Sequence, residues 1–415
     1  MKQTILKGAL LASIFGVILS CSDDDSNPVV EQVSVSKEAV ITNYAKMVAQ
    51  NYTDSYNKAV ILQTKVNEFV ATPTAAGLTQ VKQAWLDARE PYGQSEVVRE
   101  TNSPIDVAQS ASNPWGIENE GQLNAWPCDE GYIDYVLTGT EAYAGNHSGG
   151  IIAGADAITQ ALITGANTDG NSIGSPEKNV STGWHAIEFL LWGQDNTIPS
   201  ANTPGQRPLT DYTTDANTAR RKTYLQTATD LLVTDLLALK NTWAVGGAYR
   251  VVFEALNEDI AIKQFVHGAF FMAGDELSSE RMIAPVNSTG GINGLGQEDE
   301  HSCFSDNTHR DVYANARGVF NVVEGTYDNI SGASFYQLVN QVDATQGQKL
   351  LDALNEAKTK VNVIANHSKP FDELITIESS SDSSFGPVMQ GVQALENLAN
   401  EISASALVLG INLNS

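Results

Sequence analysis

The sequence predicts an all-α protein built from helical bundles, and three observations carry the prediction. Apolar residues recur at three- and four-residue steps through most of the chain, and period-2 alternation bounded by turns hardly occurs. The longest helical pattern covers about 35 residues, and no self-similarity appears at the roughly 20–50-residue periods of a solenoid. At 415 residues the chain exceeds the ~100–200 residues of a usual domain. Two helical domains are therefore expected, residues 36–245 and 246–415, dividing where two glycines end a long helix in NTWAVGGAYR.

Ser36 is an N-cap candidate, and behind it Val40, Tyr44, Val48, Tyr52 and Tyr56 make one apolar stripe. Leu78, Val81, Trp85 and Ala88 continue the pattern in a second helix, which Pro91 is expected to end. Further helical patterns cover about 129–138, 151–164, 181–192, 216–243, 248–258, 260–284, 306–323, 343–367 and 385–409. Three connections, about 101–127, 165–180 and 286–305, are rich in Gly, Asn and Ser. Loops longer than ~12–15 residues in a compact domain are usually functional or disordered. Trp115, Trp126, Cys303 and Phe304 imply that the first and third pack down.

The N-terminus, MKQTILKGALLASIFGVILSC, joins Lys2 and Lys7 to an apolar run well short of the ~20 residues that cross a bilayer. It reads as an export signal over residues 1–20. Its Ile-Leu-Ser-Cys ending resembles a bacterial lipobox, in which Cys21 is lipidated and becomes the mature N-terminus. The polar segment to residue 35 then suits a tether. Acidic residues directly after Cys21 resemble surface-export signals of some Gram-negative lipoproteins, so the expected location is the cell envelope, on the periplasmic or outer face of the outer membrane. The membrane is thus a partner through the lipid anchor alone.

Lys plus Arg total 24 against 49 Asp plus Glu, a net charge of -25 that repels phosphate backbones, so no nucleic acid partner is expected. With Cys21 lipidated, Cys128 and Cys303 are left either to pair in an oxidising compartment or to pack as two buried thiols.

The candidate chemistry centres on GWHAIEFLLWGQD, where His185 and Glu188 share one face of a strongly apolar helix. A buried carboxylate needs a cation, an arginine or a proton-sharing acid beside it. An internal hydrogen-bonded pair and a pair of metal ligands both satisfy the spacing; carboxylate-bridged metal bundles use the same i,i+3 step in the opposite order. The zinc-peptidase helix HExxH is absent, because Ala186 and Phe189 stand where its glutamate and second histidine would be. No nucleophile elbow, phosphate loop or dinucleotide fingerprint appears either.

Gly183-Trp-His185-Ala-Ile-Glu188 matches the GxHxxE signature of the imelysin family, bacterial envelope proteins named for an insulin-cleaving peptidase and grouped with iron-regulated proteins. AWLDAREPYGQSE, NAWPCDEGYIDYVL, GQRPLTDY, GDELSSERM and EDEHSCFSDNTHRD resemble the same family in the same order. The resemblance implies two domains, each like a four-helix bundle, with the signature helix near their cleft. It also implies a shared site drawing on Arg89, Glu96, Asp129, Asp134, His185, Glu188 and the loop from Ser302 to Asp306. Arg89 could pair with Glu188 or hold an anionic ligand. Asp129, Glu130 and Asp134 offer carboxylates but equally suit a solvated N-terminal helix face. His301, Asp306 and His309 are metal-capable, while Ser305 or Asp306 also suits an N-cap. His147, His267 and His367 are read as structural or exposed.

Two functions follow from the resemblance. The preferred one is binding of a metal ion, divalent or ferric, with iron or zinc the candidates, or of a small metal-bearing ligand, in connection with iron uptake. His185, Glu188, Glu96, Asp129, Asp134 and Asp306 are then candidate ligands, and Arg89, His301 and Ser302 candidate ligand-binding residues. The alternative is a metal-dependent peptidase using His185 and Glu188, for which the sequence identifies neither a third ligand nor a separate base.

Overall fold

Ser36 caps the first helix through its hydroxyl, which accepts the Ala39 amide at 3.1 Å. In the computed structural model, which describes residues 34–137, 150–167, 179–289, 296–381 and 386–413, that helix is α1 (Lys37–Ala71). The expected export signal, Cys21 and tether, and also His147, lie outside the described residues. Val40, Tyr44, Val48 and Tyr52 are buried along α1 as their spacing predicts, and Tyr56 is half-buried.

Next come α2 (Ala75–Ser95), the short helices α3 (Glu120–Asn124), α4 (Glu130–Ile133), α5 (Gly150–Ala153) and α6 (Gln160–Ala166), then α7 (Gly183–Trp192) and α8 (Thr218–Trp243). After a turn at 244–247 the chain forms α9 (Ala248–Glu254), α10 (Glu258–Phe271), a π-helix (Met272–Ile283), α11 (Ala284–Asn287) and α12 (Thr308–Glu324). A minimal hairpin pairs Thr326–Tyr327 with Ile330–Ser331 before α13 (Phe335–Val342), α14 (Ala344–Ala365), α15 (Phe371–Ile377) and α16 (Pro387–Val408). Among the described residues these are the only strands, and the fold is all-α. None of the described helices is long and apolar enough to cross a membrane.

α1 packs along α2 and α8, and α7 lies against α8 and α2. Downstream of the 244–247 turn, α14 packs on α16, and α16 on the π-helix. α12 joins the two sets by packing on α2, α14 and the π-helix, and residues 35–415 belong to one compact unit.

The helix expected over 151–164 is two helices, α5 and α6, and three further departures from the sequence reading each have a local reason. α2 runs through Pro91 to Ser95; the Pro91 carbonyl accepts the Asn51 side chain at 2.7 Å, and burial of Tyr92 beyond it outweighs one missing helical bond. The 129–138 helix shrinks to Glu130–Ile133 because Asp134 turns extended to meet two arginines. The 260–284 helix changes at Met272 from α to π winding. Cys128 and Cys303 are separate buried thiols, the second of the two alternatives.

Candidate functional site

The signature glycine has a steric cause. Gly183 opens α7 at φ +76, and a Cβ there would lie 2.2 Å from the Leu123 carbonyl oxygen, so only glycine lets the start of α7 close onto α3. The neighbouring Thr182 hydroxyl donates to the Gln122 carbonyl at 2.8 Å. Every residue of α7 is buried, as a helix apolar all round requires. Its two polar side chains therefore meet protein on every side, and α3 delivers Asn124 to the same place.

His185 Nδ1 lies 3.0 Å from Glu188 Oε2, with neither side chain exposed. Glu188 Oε1 accepts the Ser305 amide at 2.9 Å and its hydroxyl at 2.6 Å. Burial, with Asp311 adding, pushes the Glu188 carboxyl up to about 8, against the opposing Ser305 bonds. Burial, with Arg89 and Arg281 adding, holds His185 well below the usual histidine range, so its imidazole is neutral. His185 Nε2 is buried without a hydrogen-bond partner. The pair has two accessible forms: neutral Glu188 donating to Nδ1, with the imidazole proton on Nε2, or ionised Glu188 accepting from Nδ1–H, which leaves a lone pair on Nε2. They differ by one proton.

His301 stands edge-on to His185, with ring centroids 4.7 Å apart, and Trp126 packs on His185 at 4.8 Å. Asn124 ties His301 to the charges behind it. Its Oδ1 accepts Arg89 Nη1 at 2.7 Å, so its amino group donates to Glu96 and faces His301 Nε2 at 3.3 Å. His301 Nε2 is thereby an acceptor, and its proton sits on Nδ1. Arg89 pairs with Asp311 at 3.0 Å, not with Glu188, and Asp311 also accepts the Ser302 hydroxyl. Glu96 is bound by Arg281 at 2.7 Å and by Asn315. Burial would raise the Glu96 carboxyl, but Arg281, with Arg89 and Arg99, holds it below the usual range. The π-helix brings Arg281 beside Glu276, five residues earlier, at 2.7 Å.

Arg89, Glu96, His185, Glu188, His301 and Ser302 thus share one buried network. Asn124, Arg281, Ser305, Asp311 and Asn315 complete it. Asp134 and Asp306 have other partners. Asp134 is bound by Arg207 at 2.7 Å and Arg221 at 2.6 Å, and Arg207 also donates to the Phe189 carbonyl near the end of α7, so this cluster secures the helix. Asp129 is buried next to Glu130, whose carboxyl interacts with Gln194 and Glu298. Asp306 gathers with Asp195 and Asp372.

A cavity of about 670 Å³ reaches the network from outside; Asn124, Trp126, Glu276, Arg281, Asp299 and His301 are in its wall. The residues fit a metal in part. His185 Nε2 is an orphaned donor and His301 stands beside it, but both Glu188 oxygens and the Glu96 carboxylate are engaged by protein. Among the described residues, the trio of metal-capable side chains that converges on one point is Asp195, Asp306 and Asp372, so His185, Glu188 and His301 do not by themselves close a cage.

A crystal structure from Parabacteroides distasonis ATCC 8503, provisionally assigned as an iron-regulated protein A precursor, resembles the chain with a TM-score of 0.69. The match has 18% identity and covers 91% of this chain and 97% of that one, a likeness of fold. No curated protein matches. The sequence profile of imelysin, peptidase M75, matches residues 48–402, and the chain therefore belongs to the imelysin family.

Proposed function

We propose that the protein binds a metal ion, iron in preference to zinc, or a small metal-bearing ligand, at His185, as part of iron uptake. Its place is the cell envelope, where a lipid on Cys21 tethers it. The carrying observation is the buried, unpartnered Nε2 of His185 beside His301. Metal-binding histidines commonly donate their second ring nitrogen to a carboxylate that sets the tautomer, and Glu188, held by Ser305, is suited to that task. Imidazole donors suit iron and zinc. With few protein donors and a roomy cavity at His301, the remaining coordination positions go to water or to the ligand's own groups. The iron-regulated assignment of the structural relative supports iron over zinc.

The peptidase activity in the family's name has less support. A water-activating base is needed, and both Glu188 oxygens are already occupied by His185 and Ser305. The test is metal analysis by mass spectrometry of native protein alongside His185→Ala. The expected result is about one iron per chain, lost in the variant with helical content unchanged; equal metal in both would overturn the proposal.

A further inference from the structure

Asp306 was expected at the His185 site, but its carboxylate belongs to a different group. One oxygen each from Asp195, Asp306 and Asp372 lies within 4.8 Å of the others. The three come from separate segments: the loop after α7, the loop before α12, and the first turn of α15. Among the described residues, no lysine, arginine or histidine is ion-paired with any of them. Asp195 Oδ1 accepts the Thr197 amide and hydroxyl, both at 2.9 Å, and Asp372 Oδ1 accepts the Glu373 amide at 2.8 Å. Those bonds orient the two carboxylates without neutralising them.

A second observation points to a ligand. Glu300 is 1% exposed, its Oε1 has no hydrogen-bond partner, and the charges acting most on it are Asp372 and Asp306. Asp306 Oδ2 is likewise buried without a partner. Three acidic side chains thus converge, Asp306 with an orphaned oxygen, and the buried Glu300 carboxyl, held by Thr308 and with Oε1 orphaned, is near enough for their charges to act on it, a costly arrangement unless a cation or shared protons offset it.

We propose that Asp195, Asp306 and Asp372, backed by Glu300, bind a hard divalent cation, calcium in preference to magnesium. An all-oxygen donor set selects hard ions over the softer metals that imidazole attracts. Calcium–oxygen bonds of about 2.3–2.6 Å put opposite ligands about 4.6–5.2 Å apart, which suits a spread of up to 4.8 Å; magnesium at about 2.0–2.1 Å needs a tighter cluster. The ion would fasten the 300–306 segment to α15 and to the loop after α7. This site shares no donor with the one proposed at His185 and does not need that site to be occupied.

The experiment is calorimetric titration of EDTA-treated protein with CaCl₂, and separately with MgCl₂, for wild type, Asp306→Asn, Asp372→Asn and His185→Ala. The expected result is one calcium per chain, bound more tightly than magnesium, intact in His185→Ala and weakened at least about tenfold in each Asp→Asn variant. Each amide relieves repulsion, so ion-free variants should melt no lower than wild type while losing the calcium-dependent rise in melting temperature. Absence of saturable calcium uptake by wild type, equal uptake by the Asp→Asn variants, or loss of uptake in His185→Ala would overturn the assignment. Tighter magnesium binding would overturn the choice of calcium.

Discussion

Replacing Glu188 with glutamine tests how the buried pair works. Burial pushes the Glu188 carboxyl of ion-free protein up to about 8, so its protonated form predominates at pH 7. In that form His185 carries its proton on Nε2, and a metal arriving there must displace it. Binding at pH 7 should therefore release most of one proton per metal, and the observed affinity should rise by up to about tenfold per pH unit below pH 8 and flatten above it. Glutamine cannot ionise, and His185 is held neutral, so Glu188→Gln should release almost no proton across this range. It should also bind about 10–100-fold more weakly, about 1.4–2.7 kcal/mol, the usual cost of losing the carboxylate behind a ligating histidine. Zinc titrated calorimetrically in two buffers of different ionisation enthalpy reads both quantities. Wild-type proton release persisting in Glu188→Gln would refute the coupling.

Three other expectations follow from buried groups. Glu188 and Asp306 are raised to about 8, and Asp372 and Glu130 to about 7, from ordinary values near 4. Each binds its proton more tightly folded than unfolded, so this stability is complete below about pH 4 and is lost as pH rises toward 7–8. Ion-free protein should melt at a lower temperature at pH 8 than at pH 5, as read by calorimetry; a rising melting temperature would contradict the assignment. Glu276, lowered to about 2, acts oppositely and only below about pH 4.5. Arg281→Ala strips a 5% exposed guanidinium from the 1% exposed Glu96 and should cost about 3–5 kcal/mol in urea unfolding, whereas an exposed pair such as Lys65–Glu68 should cost under about 1. Gly183→Ala combines a strained positive φ with a clash on the Leu123 carbonyl and should cost about 2–6 kcal/mol; a variant as stable as wild type would show that α3 and α7 can separate freely.

The long helices are legible because their cores repeat with helical period, and the GxHxxE helix carries His185 and Glu188 into the buried network. What escaped had weaker or non-local signals. α13 is only eight residues long, although Ser334 and Gln337 carry the reciprocal capping pattern that could have revealed it. The π winding of 272–283 leaves no distinct apolar period. Asn124, Arg281 and Asp311 sit inside the quoted motif segments, yet their roles depend on partners far away in sequence, such as Arg89 for Asp311, 222 residues earlier. Asp134 and Asp306 share motif segments with the network residues, yet their carboxylates meet Arg207 and Arg221 in one case and Asp195 and Asp372 in the other. Residue type and motif membership identify metal-capable groups, whereas the fold decides which of them meet. Asp195 and Asp372 lie in no metal-like pattern, and only the convergence of three loops and helix ends brings them to Asp306.

The segment 300–306 connects the two proposed sites. His301, Ser302 and Ser305 turn toward the network of Arg89, Asp311 and Glu188, while Asp306 turns toward Asp195 and Asp372. Ser305 supplies both hydrogen bonds to Glu188 Oε1, and Asp306 follows it directly. Those bonds favour the ionised carboxylate, the form that leaves Nε2 of His185 free to accept a metal. If both proposals hold, a cation that fixes Asp306 would also fix Ser305, and would strengthen the His185 site without touching it. Linkage would then require the reverse, with occupancy at His185 tightening the acidic site by the same factor. The placement of His301, Ser302 and Ser305 on a short stretch between two acidic residues would be the route for that coupling.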